Sequence, residues 1–179
     1  MQKKNLLTSA EFDITVKRLC YQLIENHDDF AGSAIIGLQP RGIFLARRIR
    51  KALQEILKSD SILYGELDTT FYRDDFRRRE IQSPSQTKID FIIEGKKIIL
   101  VDDVLFTGRT IRAGLDAMID YGRPGKVELL VLVDRRYSRQ LPIEADYIGI
   151  QVDTITSQKV SVVWKESDGN DAIWLLTND

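Results

Sequence analysis

The chain has 179 residues, 43% hydrophobic and 30% charged, with a net charge of -1, which fits one folded domain with a sizeable core and gives no whole-chain attraction for nucleic acid or an anionic membrane. No apolar run reaches the roughly 20 residues that a spanning helix needs, and the opening MQKKNLLTSAEFD has no signal-peptide core, so a cytoplasmic location is expected. Cys20 and His27 are the only residues of their kinds, which excludes an internal disulfide, a thiolate and imidazole zinc site and a catalytic triad.

In chain order, Thr8 and Glu11 form a capping-box pattern, and Phe12, Val16, Leu19, Cys20, Leu23 and Ile24 recur at helical spacing, which predicts a first amphipathic helix with Cys20 in the core. SAIIGL (33–38) predicts a buried strand, QPRG a turn and IFLARRIRKALQEILK a second helix. SILYGELDTTFY (61–72) is rich in β-formers and RDDFRRREIQSPSQTK is charged and unpatterned. KKIILVDD is apolar on consecutive positions, as in a strand covered on both faces. A helix over about 108–121 follows, then VELLVLVDRR as another buried strand, and DYIGIQV, KVSVVW and AIWLL as shorter ones. Strands alternating with helices predict an α/β fold with a mostly parallel sheet.

The junction after KKIILVDD carries the chemistry. Ligands of open α/β sheets collect at the carboxyl ends of strands, where Asp102 and Asp103 fall. The next helix starts within Thr107, Gly108, Arg109 and Thr110, so its free N–H groups and two hydroxyls suit a phosphate. Carboxylates accept from a sugar diol or hold Mg²⁺; a diol beside a phosphate describes a ribose 5-phosphate. A helix cap with a solvated second acid is the plain alternative. Neither a P-loop nor a dinucleotide-binding glycine fingerprint is present. A phosphorelay receiver would carry its acid pair on the first strand rather than past mid-chain.

IILVDDVLFTGRTI resembles the phosphoribosyl-pyrophosphate motif of type I phosphoribosyltransferases. GLQPRGIFLARRI, GELDTTFYRDD, RAGLDAMIDYGRPGKVELLVLVDR and LPIEADYIG extend the resemblance, over nearly the whole chain, to the PyrR family of bifunctional pyrimidine operon attenuators and uracil phosphoribosyltransferases. The resemblance implies one phosphoribosyltransferase domain over residues 1–179, with a small hood from C-terminal strands and a lid over about 73–88. It implies conversion of uracil and phosphoribosyl pyrophosphate to UMP and pyrophosphate, with Mg²⁺ carried mainly by the substrate; transfer to another base without RNA binding is the alternative. Asp102 and Asp103 would be catalytic, on the ribose hydroxyls. Val104, Leu105, Phe106, Thr107, Gly108, Arg109 and Thr110 would hold the phosphoribosyl group, and Pro40, Arg41 and Gly42 the diphosphate. Arg73 and Arg77, with Arg78 and Arg79, would belong to the lid, and Arg135 and Val160 to the base pocket. The resemblance also implies a homodimer or higher homo-oligomer that senses UMP or UTP and binds an mRNA leader hairpin through Lys17, Arg18, Tyr21, Arg136, Tyr137, Arg139 and Lys159. Where relatives carry histidines this chain has Tyr21 and Tyr137, and Glu144 adds an acid nearby.

Overall fold

The computed structural model describes residues 2–74, 84–155 and 157–177. Five strands form a parallel sheet in the order β3-β2-β4-β5-β6: β2 (Ser33–Leu38), β3 (Leu63–Leu67), β4 (Lys97–Leu105), β5 (Lys126–Arg136) and β6 (Tyr147–Asp153). A second, antiparallel sheet has the order β1-β8-β7, from β1 (Gln2–Leu7), β7 (Gln158–Val163) and β8 (Ala172–Thr177). The helices are α1 (Ser9–His27), α2 (Gly42–Leu57), α3 (Arg109–Ile119) and a single turn, α4 (Lys165–Asp168). No helix among the described residues is long and apolar enough to cross a membrane.

The consecutive apolar positions of the central strands serve two cores, because successive side chains leave a strand on opposite faces. Ile35, Ile99, Val101, Leu130 and Leu132 pack with Leu19 and Leu23 of α1 and Leu45, Ile49 and Leu53 of α2. Ala34, Ile36, Ile98, Leu100, Leu129 and Val131 pack with Ile111, Ala117 and Met118 of α3. So α2, which follows β2, and α3, which follows β4, lie on opposite faces. The chain leaves these two adjacent strands in opposite directions, and a crevice opens between their carboxyl ends.

The small sheet is fastened over this crevice through Arg48 of α2. Its guanidinium lies 5.2 Å from the Phe12 ring centroid and 5.1 Å from that of Trp164, while donating to Glu166 at 2.5 Å and Asp171 at 2.7 Å. A cation held by two rings and two carboxylates joins α1, α2 and the turn after β7 in one contact set. The capping box forms as the sequence predicts: Thr8 N donates to Glu11 Oε2 at 2.8 Å, and Thr8 Oγ1 accepts from Glu11 N.

At the opposite end of the sheet His27 closes α1 in a buried polar cluster. Its Nδ1 lies 2.8 Å from Ser33 Oγ and its Nε2 2.8 Å from Glu128 Oε2, which also accepts from Tyr147 Oη at 2.9 Å. Burial holds the His27 imidazole below the ordinary histidine value of 6.5, with Glu128 opposing. A folded-state value below the unfolded one means that the unfolded chain takes up the proton first. Stability is therefore expected to fall as pH drops below 6.5, and His27→Gln should flatten that limb while lowering stability by about 1–3 kcal/mol, both measured by urea denaturation across pH.

Candidate active site

Register places the acid pair. The last pairing of β2 with β4 is Gly37 with Val101, so β4 runs on beyond its neighbour and carries Asp102 and Asp103 into the crevice. Both remain buried, at 7% and 8% exposure. Gly42, at the first position of α2, lets that helix reach them: a Cβ there would stand 2.9 Å from Asp102 Cα and 3.2 Å from Asp102 Oδ1, and closer still to Val101 O. Burial, then the charge of Asp103, raises the Asp102 carboxyl well above its usual range. Burial also raises Asp103, against the opposing pull of Arg41, whose Nε donates to Asp103 Oδ2 at 3.0 Å.

The neighbouring carboxylates line different cavities, which adjoin at Val104 and Phe106. Asp102 lines the smaller, about 120 Å³, with Arg73, Leu105, Thr107, Gly108 and Thr110. This cavity lies at the start of α3, where Gly108 takes φ +88° as N-cap, a left-handed conformation that glycine adopts without strain. Arg73 Nη1 donates to Thr110 Oγ1 at 3.3 Å. Asp103 lines the larger, about 670 Å³, with Arg41, Arg135, Lys159, Val160 and Asp168 among its walls. Arg41 also donates to Val162 O, so one guanidinium braces β4 against the small sheet.

Most of the predicted phosphoribosyl and base residues therefore meet around one crevice. Pro40 precedes Arg41 in the turn between β2 and α2. Arg109 contributes its place in the first turn of α3, but its side chain turns to Gln140 at 2.8 Å and to Asp74. Arg77, Arg78 and Arg79 lie outside the described residues. Gln39 Nε2 donates to Gln86 O at 2.9 Å. Asp168 was not legible in the sequence: its Oδ2 accepts from Trp164 N at 3.0 Å and Ser167 Oγ at 2.8 Å, and only the folding back of the segment after β7 brings it to the cavity.

The cations expected to meet RNA are distributed otherwise. Arg18 donates to the carbonyls of Ile148 and Gly149 at 3.1 and 2.5 Å. Arg136 is bidentate on Asp153 at 2.6 and 2.9 Å, and Arg139 pairs with Asp134 and donates to the carbonyls of Leu105, Phe106, Arg135 and Ile143. Arg136, Tyr137 and Arg139 line a separate cavity of about 350 Å³ with Glu144. Lys159 belongs to the large cavity. Lys17 and Tyr21 are exposed on α1.

A family model described as the phosphoribosyl transferase domain matches residues 2–166. The chain belongs to the phosphoribosyltransferase family. Within that family it is 43% identical to a bifunctional protein PyrR of Elusimicrobium minutum, over 99% of this chain and 98% of the relative. It is 42% identical to a pyrimidine operon regulatory protein of Lactococcus lactis subsp. lactis over the whole of both chains, so it is a PyrR-type phosphoribosyltransferase. Among solved structures, a hypoxanthine phosphoribosyltransferase from Staphylococcus aureus superposes with a TM-score of 0.71 at 18% identity, covering 98% of this chain and 92% of that one. One from Trypanosoma cruzi gives 0.68 at 17%, covering 98% and 97%. At such identity the likeness speaks for the phosphoribosyltransferase fold alone.

The close approach of α2 to the acid pair can be tested directly. Gly42→Ala is expected to lower stability by about 1–3 kcal/mol through overpacking, read from the denaturation midpoint. Gly32→Ala, where a methyl meets nothing within 4 Å, should leave the midpoint in place.

Proposed function

We propose that this phosphoribosyltransferase transfers the phosphoribosyl group of phosphoribosyl pyrophosphate to uracil, giving UMP and pyrophosphate, and that it also regulates pyrimidine operon expression through a leader RNA. The observation that carries the enzymatic reading is the two-lobed crevice, with one carboxylate of a buried pair in each lobe and a helix N-terminus in the smaller.

In this reading the 5-phosphate sits in the small lobe. It accepts from backbone N–H groups at the start of α3 and from the hydroxyls of Thr107 and Thr110, where the helix dipole also favours an anion. Asp102 and Asp103 accept from the ribose hydroxyls. Cleavage of the anomeric C–O bond leaves positive charge on the ribose ring, and carboxylates already buried and fixed stabilise that charge without reorganising. The diphosphate lies toward Arg41 and the amides of the turn at Pro40 to Gly42, and the base lies in the large lobe under β7.

Among the described residues no three of His, Cys, Asp and Glu gather as a metal cage. Two carboxylates, one of them already on Arg41, fit a Mg²⁺ that arrives on the substrate's phosphates and keeps several waters. When bound, the ion neutralises charge on the leaving diphosphate.

The regulatory arm is supported by the relatives, a bifunctional protein PyrR and a pyrimidine operon regulatory protein, and by the exposed Lys17, Tyr21 and Tyr137, which offer a cation and stacking rings for single-stranded bases. Arg18 braces β6, so its substitution would perturb the fold as well as any RNA surface. UMP or UTP should tighten binding to the chain's own leader RNA. Lys17→Glu combined with Tyr21→Ala should weaken binding, and equal affinity for a scrambled RNA would remove the regulatory reading.

Pyrophosphate release should require uracil and Mg²⁺ together, and a screen of free bases in this assay decides between uracil and another base. Asp102→Asn should lose most of this turnover. The same variant removes a buried carboxylate whose raised value makes the folded state less favourable as pH climbs from 3.8 through that higher value. It should therefore melt higher, by about 2–4 °C for each kcal/mol relieved. Unchanged turnover would end the assignment of Asp102.

A further inference from the structure

Within a single turn α2 carries Arg47, Arg48 and Arg50, and only the first two are neutralised. Arg47 sits on Glu66, and Arg48 on Glu166 and Asp171. Arg50 has no carboxylate among the described residues. Its guanidinium lies over the Tyr64 ring, 5.4 Å from the centroid, and its Nε is closed off from solvent without an acceptor. The ring beneath it is itself fixed, because Tyr64 Oη donates to Glu66 Oε1 at 2.9 Å and Arg47 Nε donates to the same oxygen at 2.9 Å. Arg50 is thus held in place by a ring and left without a counter-ion.

Arg50 and Tyr64 line a cavity of about 440 Å³ that shares no residue with the two lobes of the crevice. It lies at the other end of the parallel sheet, where Asp60 to Tyr64 lead into β3 from its amino end. β3 is an edge strand. A single bridge covers that edge, with Glu66 N donating to Lys88 O and Lys88 N to Glu66 O, both at 2.8 Å. Tyr64, two residues earlier, turns its backbone N–H and C=O along the same edge, where no strand continues the pairing among the described residues. Lys88 adds a second cation to the cavity, Asp60 and Asp90 add two acids, and Phe91 with the buried Ile62 forms an apolar wall. Asp60, Lys88 and Asp90 are exposed, and alone they would be ordinary solvated charges. Arg50 is not ordinary in this sense, since covering an N–H of a charged group without an acceptor is destabilising.

We propose that this cavity is a second small-molecule site, which binds an α-amino acid with an apolar or aromatic side chain. The ligand carboxylate accepts from the guanidinium of Arg50, whose planar fork matches two oxygens. Its ammonium lies toward Asp60 and Asp90, and its side chain against Ile62 and Phe91. The open edge of Tyr64 supplies one further donor and one further acceptor. The mixed lining selects this class by exclusion as well as by attraction. Two acids disfavour phosphate and other multiply charged anions, which Arg50 and Lys88 alone would accept, and the uncompensated guanidinium disfavours a simple amine. Only a ligand carrying both signs satisfies both sets of groups. No residue of the crevice takes part, so the site stands whichever base the enzyme uses.

The test titrates L-phenylalanine and L-leucine into the full chain labelled with nitrogen-15. Phenylacetate and phenethylamine, which each keep one charge of phenylalanine, and inorganic phosphate serve as comparisons. Phosphate also meets the crevice, so binding is scored only at the Arg50 Nε–H and at the amides of Tyr64 and Lys88. At least one of the two amino acids should shift these resonances saturably, and the ring of bound phenylalanine should give cross-relaxation to Phe91. Phenylacetate, phenethylamine and phosphate should each bind at least about tenfold more weakly. Arg50→Gln should raise the Kd by about 10- to 100-fold, with amide resonances elsewhere unchanged as the sign of an intact fold. The titrations of the unsubstituted protein need no variant to fold. No saturable shift with either amino acid, equal binding of a singly charged comparison or of phosphate, or an affinity untouched by Arg50→Gln would overturn the proposal.

Discussion

Two adjacent carboxylates are kept out of water at the end of β4, the central strand of the parallel sheet. Burial and mutual repulsion both oppose their ionisation, so the pair is a source of stress rather than of stability. The surroundings can be understood as answers to that stress. β2 stops one pairing short, Gly42 lets the amide end of α2 approach, Asp103 N donates to Asp102 Oδ1 at 2.9 Å, and Arg41 neutralises Asp103. Each is a local concession by a segment that would otherwise follow ordinary rules of strand length, side-chain volume or charge. Concentration of such concessions in one place is what separates a working site from a packing detail.

Guanidinium groups then connect this centre to the small sheet at three points with different electrostatics. Arg48 is fully compensated by two acids and two rings and acts as a fastening. Arg41 is half committed, to one acid and one carbonyl. Arg135 is held, among the described residues, by neutral acceptors and a ring. The degree of compensation falls from the periphery toward the cavity, so the residual positive potential is concentrated where an anionic substrate would lie.

How much of this could be read from residues alone depends on the range of the interactions. β2 was legible to the residue because SAIIGL is apolar throughout and bounded by a turn, and α1 because Thr8 and Glu11 mark its start within four positions. The crevice was legible because strand, acid pair and helix start are contiguous. β1 was not: QKKNLL is largely exposed and gains its identity from pairing with β8 at the far end of the chain. The β-rich run at 61–72 yielded a strand only over Leu63–Leu67, followed by a 3-10 turn at Thr70–Tyr72 whose Tyr72 bonds Asp120. Arg18, Arg136 and Arg139 looked like free surface cations because their carbonyl and carboxylate partners arrive through tertiary folding. Charge is visible in a sequence, but its compensation is not.

The brace formed by Arg41 has a consequence for occupancy. Because this guanidinium already spans Asp103 and the β7 carbonyl of Val162, an anion entering the large cavity meets a cation that is in use. Ligand and protein acid compete for the same donor, so an anion that takes Arg41 leaves Asp103 in the same cavity with its counter-ion shared. The guanidinium that would meet such an anion is the one that also ties β7 to β4 through Val162 O.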